Sequence, residues 1–91
     1  MLWQSNRGIL VASEYVEFYM DDGETVEGIR CRVSREALDD RIARERGRSS
    51  GELRPLFNWF RTEIEQVAAT KHERAQIESG GYVLVATADL N

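Results

Sequence analysis

The chain holds one cysteine, Cys31, and one histidine, His72, among its 91 residues. A single cysteine cannot form an internal disulfide, and this pair cannot supply the four ligands of a structural zinc site. We therefore expect neither a disulfide nor a bound metal. Long apolar runs are also missing, since no stretch approaches the roughly 18 apolar residues of a transmembrane helix. The first residues lack the basic and apolar regions of a secretory signal, so we expect a cytoplasmic protein without a membrane segment.

The length limits what the chain can enclose. A chain of 91 residues fits one hydrophobic core, and we expect a single domain over residues 1–91, with residues 1–7 as a flexible N-terminal extension. Such a small domain leaves little room for a deep pocket beside its core, so we expect no cofactor. The formal net charge of −4 argues against nucleic acid as a partner.

Alternating apolar residues predict a β-hairpin in the first third of the chain, preceded by a shorter strand over residues 8–12. Apolar side chains occupy every second position of two runs, as half-buried strands require. They are Val16, Phe18 and Met20 in the first run, and Ile29, Cys31 and Val33 in the second. Between the runs, Asp21-Asp22-Gly23-Glu24 suits the turn, because glycine readily adopts the positive φ of tight hairpins.

Two helices and a last strand are predicted after the hairpin. Ser34 can cap a first helix over residues 35–46, whose thin apolar stripe indicates a surface position. A second helix begins between Ser50 and Pro55 and runs to about Ala75, with apolar residues at steps of three and four. Residues 82–87 form the last strand. The order β-β-β-α-α-β predicts an α+β fold: an antiparallel sheet of three to four strands, the long helix across one face and the short helix at its edge.

Three short patterns follow one another in a characteristic order. A turn containing glycine precedes a strand that ends in Cys-x-Val-Ser, and the next helix starts with Arg-Glu-Ala-Leu. A later helix with Phe-x-x-x-Arg-x-x-Ile-Glu precedes Gly-Tyr-Val-Leu. In this order the patterns, which cover most of the chain after about Ser13, resemble a bacterial family known only as a domain of unknown function. The resemblance implies a small α+β domain in bacteria and brings no activity, ligand or catalytic residue.

Cys31 and His72 are the candidates for catalysis. Cys31 shares strand parity with Ile29 and Val33, so we expect a buried thiol rather than a reactive thiolate, which needs partial exposure and a neighbouring cation or base. His72 follows Lys71 near the end of the long helix, without an acidic or nucleophilic partner at a recognisable spacing. We therefore expect no catalytic residue and no enzyme. The alternative is a small enzyme or ligand-binding domain that uses Cys31 or His72.

Acidic residues are concentrated in and around the predicted hairpin. Six acids occur there with no base between them: Glu14, Glu17, Asp21, Asp22, Glu24 and Glu27. A solvated hairpin whose charges discourage edge-to-edge aggregation explains this pattern. The alternatives are a docking surface for a basic partner and a weak cation site at Asp21-Asp22-Gly23-Glu24.

Arginines cluster where the first helix ends, at Arg41, Arg44, Arg46 and Arg48. Cations at this end complement the helix dipole, and a phosphate or nucleic-acid contact is the alternative.

Trp59 is rotated about 100° around the long helix from Phe60. It either projects outward, as part of a partner surface, or is covered by Trp3. The predicted interaction surface therefore consists of Asp21, Asp22, Glu24, Arg41, Arg44, Arg46, Arg48 and Trp59. It favours a non-enzymatic interaction or accessory domain with an unknown protein partner, as a monomer or weak homodimer; an anion- or nucleic-acid-binding regulator is the alternative.

Overall fold

The chain adopts an α+β fold in which a mixed sheet carries the long helix across one face. The computed structural model describes residues 2–4, 8–24, 26, 28–46 and 52–90, without the side chains of Trp3 and Arg46. The elements are β1 (Trp3–Gln4), β2 (Leu10–Val11), β3 (Tyr15–Asp21), β4 (Ile29–Ser34), α1 (Arg35–Arg46), α2 (Leu53–Glu73), β5 (Val83–Val85) and a short 3-10 helix (Thr87–Leu90). The predicted fold class is confirmed.

The sheet has the order β1-β3-β4-β5, and β2 also pairs with β3. The β3–β4 hairpin is antiparallel from Tyr15 opposite Ser34 to Met20 opposite Ile29. However, β5 lies parallel to β4, with Leu84 beside Arg32. The prediction of an antiparallel sheet is therefore wrong for this one pair. Parallel neighbours need a long crossover, and α1 and α2 together provide it.

Local signals position both helices. The Ser34 hydroxyl accepts a hydrogen bond from the Ala37 amide at 3.0 Å, which is the predicted cap. The long helix ends at Glu73 with Ala75 at a φ of 57°. There the Gln76 amide donates to the Lys71 carbonyl at 2.9 Å and the Ala75 amide donates to the His72 carbonyl at 3.0 Å. This pair of bonds is a Schellman motif, which stops the helix close to the predicted end.

The core lies between the sheet and α2. One stripe of α2 is buried, namely Leu53, Leu56, Phe57, Phe60, Ile64 and Ala68. The Phe57 ring packs against the Phe18 ring of β3 with centroids 5.1 Å apart. Cys31 and Val33 are fully buried beside them, so the predicted core face of the hairpin is confirmed.

The start of the chain contributes to the same structure. Leu2 is buried in the core, and Trp3 and Gln4 of β1 pair with Asp21 and Met20. Residues 2–4 thus belong to the fold rather than to the predicted flexible extension, while residues 1 and 5–7 lie outside the described residues. Over the described part of the chain, neither helix is both long enough and apolar enough to cross a membrane.

Candidate functional site

The face of the sheet that points away from α2 carries a cluster of tyrosines and arginines. Strand alternation turns every second residue to this side, and those of β3 remain half-buried while their neighbours are fully enclosed. We call this side the outer face. Its members are Tyr15, Glu17, Tyr19, Arg30, Arg32 and Leu84, with Tyr82 just before β5 and Leu10 opposite Glu17.

Arg32 is the centre of the outer face. Its guanidinium lies 4.4 Å from the ring centroid of Tyr15 and 4.4 Å from that of Tyr82. Its Nε also donates to Glu17 Oε1 at 3.0 Å. The hydrogen bond to Glu17, followed by the charges around it, raises the pKa of Arg32 above its usual range despite the opposing effect of burial. Arg32 is therefore a permanent cation whose charge Glu17 balances.

Arg30 differs from Arg32 in having no carboxylate partner among the described residues. Its Nη2 donates to the Gly80 carbonyl at 2.8 Å, and its guanidinium lies 5.8 Å from the Tyr82 ring centroid. Its Nε is buried and finds no acceptor in the described part of the chain. Arg30 thus contributes positive charge to the outer face that no acid among the described residues offsets.

A cleft of about 340 Å³ opens beside Arg30, at the end of the sheet where β4 and β5 begin. We call it the Arg30 cleft. Its polar lining comes from Tyr19, Arg30 and His72, and its apolar lining from Ile29, Ile77 and Val83. His72, a catalytic candidate from the sequence, therefore shares this cleft with Tyr19 and Arg30, which the sequence did not indicate as site residues.

Cys31, the other catalytic candidate, is a core residue. Its side chain is fully buried, and its Sγ donates to the Ile29 carbonyl at 3.6 Å. Burial, with a smaller effect from the charge of Glu65, raises the pKa of the Cys31 thiol to about 12. A thiol with this pKa is protonated at neutral pH and is a poor nucleophile.

The acidic part of the predicted interaction surface stabilises its own turn. Asp21 Oδ1 accepts from the Gly23 amide and Asp22 Oδ1 accepts from the Glu24 amide, both at 3.0 Å. Such bonds are typical of aspartates in turns. Glu24 is exposed beside them, and Glu27 lies outside the described residues.

Of the arginine cluster, the structure describes the side chains of Arg41 and Arg44. Arg41 Nη2 contacts Glu63 Oε1 at 3.2 Å, its Nη1 contacts Glu45 Oε2 at 3.3 Å, and its guanidinium lies 4.9 Å from the Phe60 ring centroid. Arg41 therefore joins α1 to α2. Arg44 is exposed, whereas the Arg46 side chain and all of Arg48 lie outside the described residues.

Trp59 projects outward from α2. Its side chain is 55% exposed, and its ring lies against that of Phe60 with centroids 6.3 Å apart. This exposure favours the outward orientation, and the Trp3 side chain that was the alternative cover lies outside the described residues. Binding through Trp59 remains the alternative to binding through the outer face.

The sequence profile of a family described as proteins of unknown function, DUF1488, matches residues 5–85. The chain belongs to this family. A DUF1488 protein of unknown function from Shewanella loihica has a crystal structure that resembles this one with a TM-score of 0.72 and 16% sequence identity, covering 92% of this chain and 90% of its own. At that identity the similarity shows a shared fold. A search of curated proteins found no match. DUF1488 membership confirms the resemblance predicted from the sequence and assigns no activity.

Proposed function

We propose that this DUF1488 domain is a non-enzymatic interaction domain that binds a protein partner on the outer face of its sheet. The supporting observation is the combination of three tyrosines and two arginines on one sheet face. Tyrosine and arginine are the side chains that, with tryptophan, dominate the energetics of protein interfaces. Leu10, 57% exposed at the border of this face, adds apolar area. We propose a cytoplasmic location, as the sequence suggests.

The partner we infer presents acidic side chains. Charge complementarity favours them, because Arg30 has no acid beside it among the described residues, whereas Arg32 is balanced by Glu17. A nucleic acid is a poorer fit. The chain carries a net charge of −4, and a polyanion requires several unbalanced cations for tight binding.

Affinity purification with matched surface variants tests this proposal. Wild-type protein, Leu10→Asp and Trp59→Ala are used to capture partners from native cells, and the captured protein is then purified and titrated against each variant. Leu10→Asp adds an acid where the partner is expected to be acidic, while Trp59→Ala changes an exposed aromatic residue on α2. We expect Leu10→Asp to weaken binding at least about tenfold and Trp59→Ala to bind like wild type.

Two results contradict the proposal. Loss of binding in Trp59→Ala with full binding in Leu10→Asp moves the interaction surface to α2. Capture that disappears after nuclease treatment identifies nucleic acid as the ligand. Circular dichroism of each variant verifies that the fold is kept.

A further inference from the structure

We infer that the Arg30 cleft binds a small organic molecule with one carboxylate and a compact apolar group. This inference goes beyond the partner proposed above and does not depend on it. The site is assigned from the shape of the cleft, the state of Arg30 and the chemistry of the lining residues.

The cleft has the size of a small ligand site. Its volume of about 340 Å³ is at the lower end of the range for ligand pockets, roughly 300 to 1,000 Å³. It exists because the chain does not return directly from α2 to β5. After the Schellman motif the backbone turns through Glu78 and Gly81, where the Gly81 amide donates to the Glu78 carbonyl at 2.8 Å.

A glycine with positive φ borders the cleft. Gly81 has a φ of 81°, and apart from its chain neighbours no atom of the described residues lies within 4 Å of the position where a Cβ would be. The cleft is therefore bordered by backbone at this point.

Arg30 provides the feature that selects an anion. The Gly80 carbonyl holds one end of the guanidinium at 2.8 Å, so the orientation of the group is set before a ligand arrives. Its Nε is buried without an acceptor in the described residues, and a buried donor that lacks an acceptor is unfavourable. A carboxylate matches a guanidinium in charge and planar geometry, and in the cleft it would meet the positive charge of Arg30, which no described carboxylate balances.

The remaining lining residues favour an organic acid over inorganic phosphate. Ile29 and Ile77 offer apolar surface at the cleft, and Ile77 is 47% exposed. Among the described lining residues, Arg30 alone carries a permanent charge, which suits a singly charged ligand with an apolar group.

The C-terminal end of α2, near His72, is expected to disfavour binding of an anion, because carbonyl dipoles make a helix C-terminus negative. In this domain the carbonyls of Thr70, Lys71 and His72 each accept an amide of Arg74, Ala75 or Gln76. These bonds satisfy the last carbonyls of the helix up to His72, which reduces the negative end charge that a carboxylate in the cleft would meet. The tyrosine and histidine of the lining are additional polar contacts for the ligand.

Three matched probes test the site: sodium isovalerate, its neutral amide isovaleramide, and inorganic phosphate. Each is titrated into uniformly ¹⁵N-labelled protein while amide chemical shifts are measured. We expect saturable shifts at Ile29 and Gly81 with isovalerate, much weaker binding of isovaleramide, and no comparable effect of phosphate.

Variants assign the effect to Arg30. Arg30→Gln removes the charge, and we expect isovalerate affinity to fall about tenfold or more, with partial retention in Arg30→Lys. Arg54→Gln is the matched control, because Arg54 is exposed at the opposite end of α2, about 27 Å from His72 along the helix axis. This control should bind like wild type.

Equal affinity for isovalerate and isovaleramide overturns the inference, as does equal binding by phosphate or an unchanged affinity in Arg30→Gln. Absence of saturable shifts with isovalerate also overturns it. The comparison of acid and amide uses wild-type protein, so it decides the question even if Arg30→Gln fails to fold. The proposal for the outer face is judged separately by Leu10→Asp, which lies on β2 and outside the cleft lining.

Discussion

At the scale of single residues, burial in the core lowers the reactivity of the Cys31 thiol. Cys31 is enclosed by the core, and burial followed by the charge of Glu65 raises the pKa of its thiol from 9.0 to about 12. We expect iodoacetamide to label the native protein far more slowly than the urea-unfolded chain at about pH 8. The thiol is protonated in the folded state, so stability should be unaffected below pH 9 and should fall as the pH rises toward 12. Equal labelling rates would restore Cys31 as a candidate nucleophile.

Ala75 holds a backbone conformation that suits glycine. Its φ of 57° places it in the left-handed region at the end of α2, where a Cβ costs roughly 1–2 kcal/mol. We expect Ala75→Gly to stabilise the domain by about 1 kcal/mol or less, because the more flexible unfolded chain of glycine offsets part of the gain. Thermal unfolding measures the change. The matched control Ala69→Gly, inside α2, should instead destabilise by about 1 kcal/mol, and destabilisation by both variants would contradict the expectation.

At the scale of elements, Phe57 connects α2 to the sheet. Its ring meets Phe18 of β3, whereas Phe60 lies under Arg41 of α1. We expect Phe57→Ala to lower the free energy of unfolding by about 3–5 kcal/mol, because it leaves a cavity in the core. Urea unfolding measures this loss. Trp59→Ala, an exposed change on the same helix, should cost much less, and equal stability of both variants would show that α2 does not depend on this contact.

A polar clamp attaches the 3-10 helix to α2 and β5. Lys71 Nζ donates to the Leu84 carbonyl at 2.7 Å and to Asp89 Oδ2 at 2.8 Å, and Asp89 Oδ2 also accepts from the Ala86 amide at 2.8 Å. Burial alone would raise the pKa of Asp89, but the hydrogen bonds from Lys71 and Ala86 and the charge of Lys71 outweigh it and lower the pKa below 3.8. The clamp therefore stabilises the fold above the unfolded pKa of 3.8, and this stabilisation is lost as the pH falls through the lower folded value.

Asp89→Asn tests the clamp. The variant should be less stable than wild type at about pH 7, and the difference should shrink toward about pH 2, as the folded-state carboxyl of Asp89 takes up its proton. Urea unfolding at the two pH values measures this change. The matched control Glu73→Gln, exposed at the end of α2, should follow wild type at both pH values. A difference that is equally large in acid would show that the charge of Asp89 has no part in the clamp.

Sequence patterns predicted what depends on neighbours along the chain. The bounds of α1 follow from the Ser34 cap and the following helical stretch, and the burial of Cys31 follows from strand alternation. Alternation along one strand does not reveal which strands are neighbours in the sheet. The contact between Tyr82 and Arg32, which depends on the parallel pairing of β4 and β5, was therefore not predicted. Arg30 and the cleft were missed for the same reason, because the lining comes from four separate segments. Similarly, the spacing of the arginines along the chain could not predict the ion pair between Arg41 and Glu63, because Glu63 belongs to the other helix.

At the scale of the whole molecule, part of the segregated charge of the sequence is used inside the fold. Asp21 and Asp22 stabilise the hairpin turn, and Arg41 joins the two helices. The β5 edge is also occupied. Lys71 binds the Leu84 carbonyl, Asp89 binds the Ala86 amide, and the Glu78 amide donates to the Tyr82 carbonyl at 2.8 Å. A strand edge whose groups are taken in this way offers a poor template for a second copy.

The domain should therefore be a monomer at both low and high salt. Head-to-tail pairing between an acidic hairpin and an arginine patch would require unoccupied charges of both signs, and such pairing would weaken as salt screens it. Sedimentation equilibrium over a range of protein concentrations, at about 20 mM and about 500 mM NaCl, measures the association. A dimer that forms only in low salt would support head-to-tail pairing. A dimer that persists in high salt but dissociates in Leu10→Asp would have a different meaning: the outer face would be covered by a second copy of the chain, and the partner proposed for that face would be the domain itself.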